Sequence, residues 1–190
     1  DPTAVDADGD PVREILSPVK VAGLPEGIVA VTADTQTSYA ITADGRVFGW
    51  GENSFGQLLV GTDNGDGTFA PGPDEVLAPV ELDVPGEVVD VKGGARWAVA
   101  LTADGDVWAW GPNDEGPTGG LDGDPAAESE GTFFPVKVAE LDEPRIVEIA
   151  TGPNHVVATA ADGTVHTWGS NADGRLGYPS EGAVYAPRTV

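Results

Sequence analysis

Three stretches of this chain share one alternation of apolar and polar positions. The first runs Thr42-Ala43-Asp44-Gly45-Arg46-Val47-Phe48-Gly49-Trp50-Gly51-Glu52-Asn53. The second runs Thr102-Ala103-Asp104-Gly105-Asp106-Val107-Trp108-Ala109-Trp110-Gly111-Pro112-Asn113, and the third Ala160-Ala161-Asp162-Gly163-Thr164-Val165-His166-Thr167-Trp168-Gly169-Ser170-Asn171. In each, an apolar run ends at Ala-Asp-Gly and the alternation then resumes into Trp-Gly-x-Asn. Asp-Gly between two such runs predicts the tight turn of a β-hairpin, because Gly takes the positive φ that the turn demands. Past the turn, Val47, Val107 and Val165 fall on one face of a strand, and positions 48/50, 108/110 and 166/168 on the other. Trp108 and Trp110 are therefore expected in a core between sheets. The Gly after each Trp predicts a close backbone approach or a positive φ. Asn53, Asn113 and Asn171 are expected to start a loop by bonding the backbone two residues on.

The Trp-Gly pairs begin at 50, 110 and 168, so the spacings are 60 and 58 residues. A fixed period of this size marks a repeat array. Further runs recur with it. Gly27-Ile28-Val29-Ala30-Val31, Gly86-Glu87-Val88-Val89-Asp90-Val91 and Arg145-Ile146-Val147-Glu148-Ile149 correspond. So do Ser38-Tyr39-Ala40-Ile41, Trp97-Ala98-Val99-Ala100-Leu101 and Val156-Val157-Ala158-Thr159. A Pro-initiated run precedes them at Pro18, Pro79 and Pro135. Each repeat thus holds about four short strands, the content of one propeller blade. The predicted organisation is an acidic lead-in over 1–17, then repeats over 18–77, 78–134 and 135–186. Residues 187–190, Pro187-Arg188-Thr189-Val190, read as the start of a further strand.

These motifs resemble the repeat of the regulator of chromosome condensation family. That family's pattern places a Gly two or three residues before a His, then Ala-Leu-Thr-x-Asp-Gly-x-Val-x-x-Trp-Gly-x-Asn-x-x-Gly-Gln-Leu-Gly. Asn53-Ser54-Phe55-Gly56-Gln57-Leu58 and Asn171-Ala172-Asp173-Gly174-Arg175-Leu176-Gly177 follow its tail, while Asn113-Asp114-Glu115-Gly116-Pro117-Thr118-Gly119 departs from it. The family's His is kept as His155, with Thr37 and Trp97 at the equivalent places. The resemblance implies an all-β fold of three four-stranded antiparallel propeller blades. They would form either a partial ring or half of a six-bladed dimeric ring, since closure takes about 4 to 8 blades. The family includes exchange factors for a small GTPase and a bacterial inhibitor of β-lactamase. Both act by protein contact over one propeller face, and no residue set specific to either is recognisable here.

Charge narrows the partners. Nine Lys and Arg against 32 Asp and Glu give a formal net charge of -23. A nucleic-acid binder needs a basic footprint, so nucleic acid is not expected as a partner. No apolar run is long enough to span a membrane. The chain has no Cys, which removes thiol chemistry and Cys metal sites. Strong acidity points to an extracellular or cell-surface protein, with the cytoplasm of a halophile as the alternative.

Candidate chemistry is sparse. Asp63, Asn64 and Asp66 in a Gly/Asp-rich insertion form a weak calcium candidate without the regular carboxylate spacing or a closing Glu. Asp6, Asp8 and Asp10 alternate as in a calcium loop, but Pro11 occupies the Gly position and Ser17 the closing one. His155 and His166 sit at repeat-equivalent positions, with no nucleophile pairable by spacing, so no catalytic residue and no cofactor is assigned. The candidate protein-binding residues are Phe69, Trp97, Phe133 and Phe134; for Trp97, core packing is the competing reading. The leading expectation is a non-catalytic binding or scaffold module that presents propeller loops to a protein partner. The first alternative is a self-assembling unit whose homodimer completes a six-bladed ring, and the second is an enzyme, which would need a pocket with convergent titratable groups.

Overall fold

Each Asp-Gly predicted as a turn is one. Gly45, Gly105 and Gly163 have φ of 79°, 92° and 90°, and the turns close through Thr42, Thr102 and Ala160, whose N–H groups donate to Arg46, Asp106 and Thr164 carbonyls. The computed structural model describes residues 18–63, 69–119, 132–141, 144–180 and 182–190. Around the turns, twelve of its strands form three four-stranded antiparallel sheets, the blades.

Blade one is β1 (Ile28–Ala33), β2 (Thr37–Thr42), β3 (Val47–Glu52) and β6 (Glu75–Leu82), in that spatial order. The short hairpin β4 (Gly61–Asp63) and β5 (Phe69–Pro71) interrupts it. Blade two is β7 (Val88–Gly93), β8 (Ala98–Thr102), β9 (Val107–Gly111) and β10 (Thr132–Lys137). Blade three is β11 (Ile146–Thr151), β12 (His155–Ala160), β13 (Val165–Gly169) and β14 (Val184–Thr189).

The sheets divide the chain at other points than the sequence repeats do. The Pro79 run lies in β6, which pairs with β3, and the Pro135 run in β10, which pairs with β9. The Pro187 run lies in β14, on β13, so it closes the third blade instead of opening a fourth. The reason is local: each run returns antiparallel to the Trp-bearing strand before it, and so completes the ladder it has just left. Pro18 and the described residues that follow it, up to Gly27, form no strand.

Two cores weld the blades together. Tyr39, Ile41, Val47, Leu58 and Leu82 of blade one pack on Val88, Val91, Ala98, Ala100 and Trp110 of blade two. Trp97, Val99, Leu101 and Val107 of blade two pack on Ile146, Ile149, Val156, Ala158 and Trp168 of blade three. The alternation predicted for the Trp strands therefore holds: in β9, Trp110 turns to blade one and Val107 to blade three. Trp110 is fully buried, whereas Trp108, expected in the same core, is only half-buried. Each innermost strand also carries a bulge at the same place, at Val29, Val89 and Val147. A bulge there disrupts the edge that would otherwise template pairing with another strand.

Candidate protein-binding face

The loops that follow the Trp strands are built by one hydrogen-bond network repeated three times. The Asn53 Oδ1 accepts from Leu58 N–H at 3.0 Å, and its Nδ2 donates to Val60 and Pro73 carbonyls at 3.1 and 3.2 Å. Asn113 accepts from Thr118 N–H at 3.1 Å and donates to Gly119 at 3.2 Å. Asn171 accepts from Leu176 N–H at 3.0 Å and donates to Tyr178 at 2.9 Å. The Asn side chains thus start the loops as expected, but they reach five residues on, where two was anticipated. Gly51, Gly111 and Gly169 take φ of 113°, 101° and 103° beneath them. A Cβ on Gly51 would stand 2.3 Å from the Gln36 carbonyl oxygen. Close approach and positive φ therefore act together.

At this end of blade one the chain opens a cleft of about 460 Å³ lined by Gln36, Gly51, Glu52, Ser54, Asp74, Glu75 and Leu77. Glu52 and Glu75 are cross-strand partners in the β3–β6 ladder, with Asp74 adjacent to Glu75 in sequence. Like charges directly opposite one another destabilise a sheet, and the pair is not neutralised by a basic residue in the cleft lining. The Glu52 carboxylate does accept from Gln57 Nε2 at 3.3 Å. At the turn between β1 and β2, Asp34 accepts from the N–H groups of Gln36 and Thr37 at 2.9 and 2.8 Å. Burial, together with the charge of Glu52, holds the Asp34 carboxyl above its usual range despite those bonds. Leu77 is 84% exposed at the cleft rim. In blades two and three the position of Glu52 is taken by Pro112 and Ser170, so the like-charge pair belongs to blade one alone.

The sequence candidates scatter. Trp97 is only 2% exposed and its indole N–H donates to the Pro153 carbonyl of blade three at 2.9 Å. It is a core residue of the second seam and offers a partner almost no surface, which corrects its place among the binding candidates. Its ring lies over Gly94, as that of His155 lies over Gly152. A Cβ on either Gly would come within 2.0 and 2.2 Å of those rings. That overlap explains why Gly stands three residues before the large ring. Phe134 is 62% exposed on β10, the outermost strand of blade two, away from the cleft. Phe69 lies in β5 and Phe133 in β10; their side chains are outside the described set. Asp63 ends β4, while Asn64 and Asp66 lie outside the described residues, as do Asp6, Asp8 and Asp10.

Among the described residues no group of three or more His, Asp and Glu is disposed to hold a metal ion, and no helix is long and apolar enough to cross a membrane. His155 Nδ1 and His166 Nε2 are buried without a partner among the described residues. Burial first, then the charge of Arg175, lowers the His155 pKa below the usual imidazole range. The cleft carboxylates were missed from sequence because acidic residues are everywhere in this chain. Only the strand register sets Glu52 against Glu75.

The sequence profile of the Regulator of chromosome condensation (RCC1) repeat matches residues 44–101, 104–159 and 162–190, and a second profile of that repeat matches 28–57, 88–116 and 146–175. The chain belongs to the RCC1 repeat family. It is 34% identical over 171 residues to the human regulator of chromosome condensation, covering 89% of this chain and 37% of that protein. It is 33% identical over 163 residues to the human E3 ubiquitin-protein ligase HERC2, covering 86% of this chain and 3% of that one. Among solved structures, yeast RCC1 (Prp20) bound to Kap60 superposes with a TM-score of 0.70 at 25% identity, over 85% of this chain and 36% of that one. The chain therefore spans little more than a third, or less, of the length of these relatives. Yeast RCC1 (Prp20) is bound to Kap60 in that structure, and the repeat matches together span residues 28–190 of this chain.

Proposed function

We propose that the chain is a non-catalytic protein-binding module, located outside the cell or at its surface, whose cleft end takes a partner presenting Lys or Arg. The observation that carries this reading is the Glu52–Glu75 pair. Two carboxylates are held opposite one another in a β-ladder beside Asp74, in an open cleft with an apolar rim at Leu77. A guanidinium or ammonium group entering that cleft relieves a repulsion that the fold maintains in its absence. Yeast Prp20, a family relative, engages the protein Kap60, which supports a protein as the class of partner. The chain's net charge of -23 favours a basic partner and opposes a nucleic acid. It also suits an exposed location in which charge serves solubility.

The experiment compares two charge-matched triple variants for binding to a fluorescent Arg-rich peptide. One is Glu52→Gln, Asp74→Asn, Glu75→Gln in the cleft. The other is Asp83→Asn, Glu87→Gln, Asp104→Asn at the opposite end of the blades. The cleft variant should lose at least about tenfold in affinity, the worth of one charge-assisted contact, and the distal variant much less. Equal losses would show that only overall charge is being read, and would overturn the assignment of the cleft.

A further inference from the structure

The cleft of blade one has a counterpart in blade two, and there the chain supplies its own basic group. Gln36 and Arg96 stand at the same place in successive blades, directly before Thr37 and Trp97 at the tips of the inner hairpins. Glu52 and Pro112 follow the Gly after each Trp, and Ser54 and Asp114 follow the loop-starting Asn. Gln36, Glu52 and Ser54 line the blade-one cleft. Arg96, Pro112 and Asp114 line a second cavity, together with Glu115 and with Asn154 of blade three. Each opening lies between an inner hairpin tip and the loop that leaves the Trp strand.

The two openings differ in what fills them. In blade one the carboxylates of Glu52, Asp74 and Glu75 share a lining that holds no basic residue. In blade two the Arg96 guanidinium crosses the gap. It donates to Asp114 Oδ2 at 3.1 Å and lies over the Phe55 ring of the blade-one loop, 4.6 Å from its centroid. About 30 Å³ of space remains, room for little more than water and too little for another guanidinium. Asn154 Nδ2 donates to Glu115 Oε2 at 2.9 Å along the same rim.

Backbone chemistry explains why a side chain spans the gap in blade two. The N–H groups of Glu52 and Ser170 donate to the Gln36 and Asn154 carbonyls at 3.0 and 2.8 Å, tying tip to loop in blades one and three. Pro112 has no N–H to give, and the Arg96–Asp114 bridge takes the place of that tie. Arginine suits the task, because its planar head stacks on a ring and pairs with a carboxylate at once. Every residue of this arrangement lies at a seam that the chain itself completes.

We propose that Arg96 is a specificity-determining residue, which fills the blade-two site from within the chain and so confines a basic partner to the blade-one cleft. The proposal rests on the reading of that cleft as a site for Lys or Arg, and adds a second site of the same chemistry that Arg96 masks. Asp114 and Glu115 supply its carboxylates, and Phe55 its aromatic floor. Removing the guanidinium at position 96 opens this site, and placing one at position 36 closes the cleft in the same way.

The test titrates the isotopically labelled chain and its variants with the Arg-rich peptide and reads peptide-induced backbone amide shifts. Arg96→Gln brings the blade-one residue into blade two, and Gln36→Arg makes the reverse exchange. Arg145→Gln and Thr164→Arg make the same changes of charge at the Asp-Gly turn end, the latter at the place Arg46 holds in blade one. Dispersion of the amide spectrum checks that each variant keeps its fold. In the unmodified chain the peptide should shift the cleft and leave Asp114 and Glu115 unmoved. In Arg96→Gln it should also shift those two residues, while in Arg145→Gln it should not. Gln36→Arg should weaken binding at the cleft at least about tenfold, the worth of one charge-assisted contact, and Thr164→Arg much less. No cleft shifts in the unmodified chain would overturn both readings. Cleft shifts without a gain at Asp114 and Glu115 in Arg96→Gln, or a Gln36→Arg chain that binds as tightly as Thr164→Arg, would overturn the masking by Arg96 alone.

Discussion

The carbonyl oxygens of Gln57 and Pro117 occupy the same place in successive loops but differ in how fully they are satisfied. Gln57 accepts from Trp110 Nε1 at 2.8 Å and also from Tyr39 Oη at 3.1 Å. Pro117 accepts from Trp168 Nε1 alone among the described residues. Trp168→Phe and Trp110→Phe remove the same atoms from fully buried positions. The cavity cost is therefore similar, while only Trp168→Phe strips a buried acceptor of its bond. Trp168→Phe should cost about 1 kcal/mol more than Trp110→Phe, the worth of an acceptor left unpaired. Urea unfolding of the two variants checks this; equal costs would mean the seams are held by apolar contact alone. The Trp residues were legible as wedges between sheets from their spacing. Their acceptors were not, because a backbone carbonyl leaves no mark in the residue type that carries it. Trp97 was ambiguous for a related reason: its bond to Pro153 comes from a neighbouring blade.

The strand ladders show where a repeat read from sequence and a blade built in space part company. All three Trp strands, their hairpin partners and the inner strands could be read from alternation and Asp-Gly turns. The phase of the blade could not, since a tandem repeat can be cut at any point and only the pairing of β6, β10 and β14 decides which sheet the Pro-initiated runs join. The glycine after each Trp marks where an inner hairpin presses on the next strand's entry. In blade two, a Cβ on Gly111 would stand 2.7 Å from the Trp97 Cα and 2.8 Å from the Arg96 carbonyl oxygen, at a φ of 101°. Both contacts are backbone atoms, which cannot move aside cheaply. Gly111→Ala should destabilise the chain by about 2–4 kcal/mol, combining the left-handed penalty with overpacking. Thermal unfolding would show a lowered midpoint, with the loss shared by the blade-three seam because Trp97 belongs to it. A cost below about 0.5 kcal/mol, the level of a neutral surface change, would contradict the close approach.

At the scale of the whole molecule, three blades are joined by two apolar seams beneath a surface of strongly negative charge. The formal net of -23 is spread widely, so acidity alone could not single out a binding end, and the candidate aromatics Phe134 and Trp97 lie elsewhere, one on an outer strand and one in a seam. Register selected the site instead, by setting Glu52 against Glu75 at the mouth of a cleft. The central claim is that this cleft, and not the general charge, reads a basic protein partner. Its most direct test is to titrate isotopically labelled chain with the Arg-rich peptide and to follow every backbone amide by nuclear magnetic resonance. The account predicts that shifts concentrate at Gln36, Glu52, Ser54 and Asp74 to Leu77. Shifts spread evenly over the acidic surface, or gathered at the turns of Asp44, Asp104 and Asp162, would contradict it.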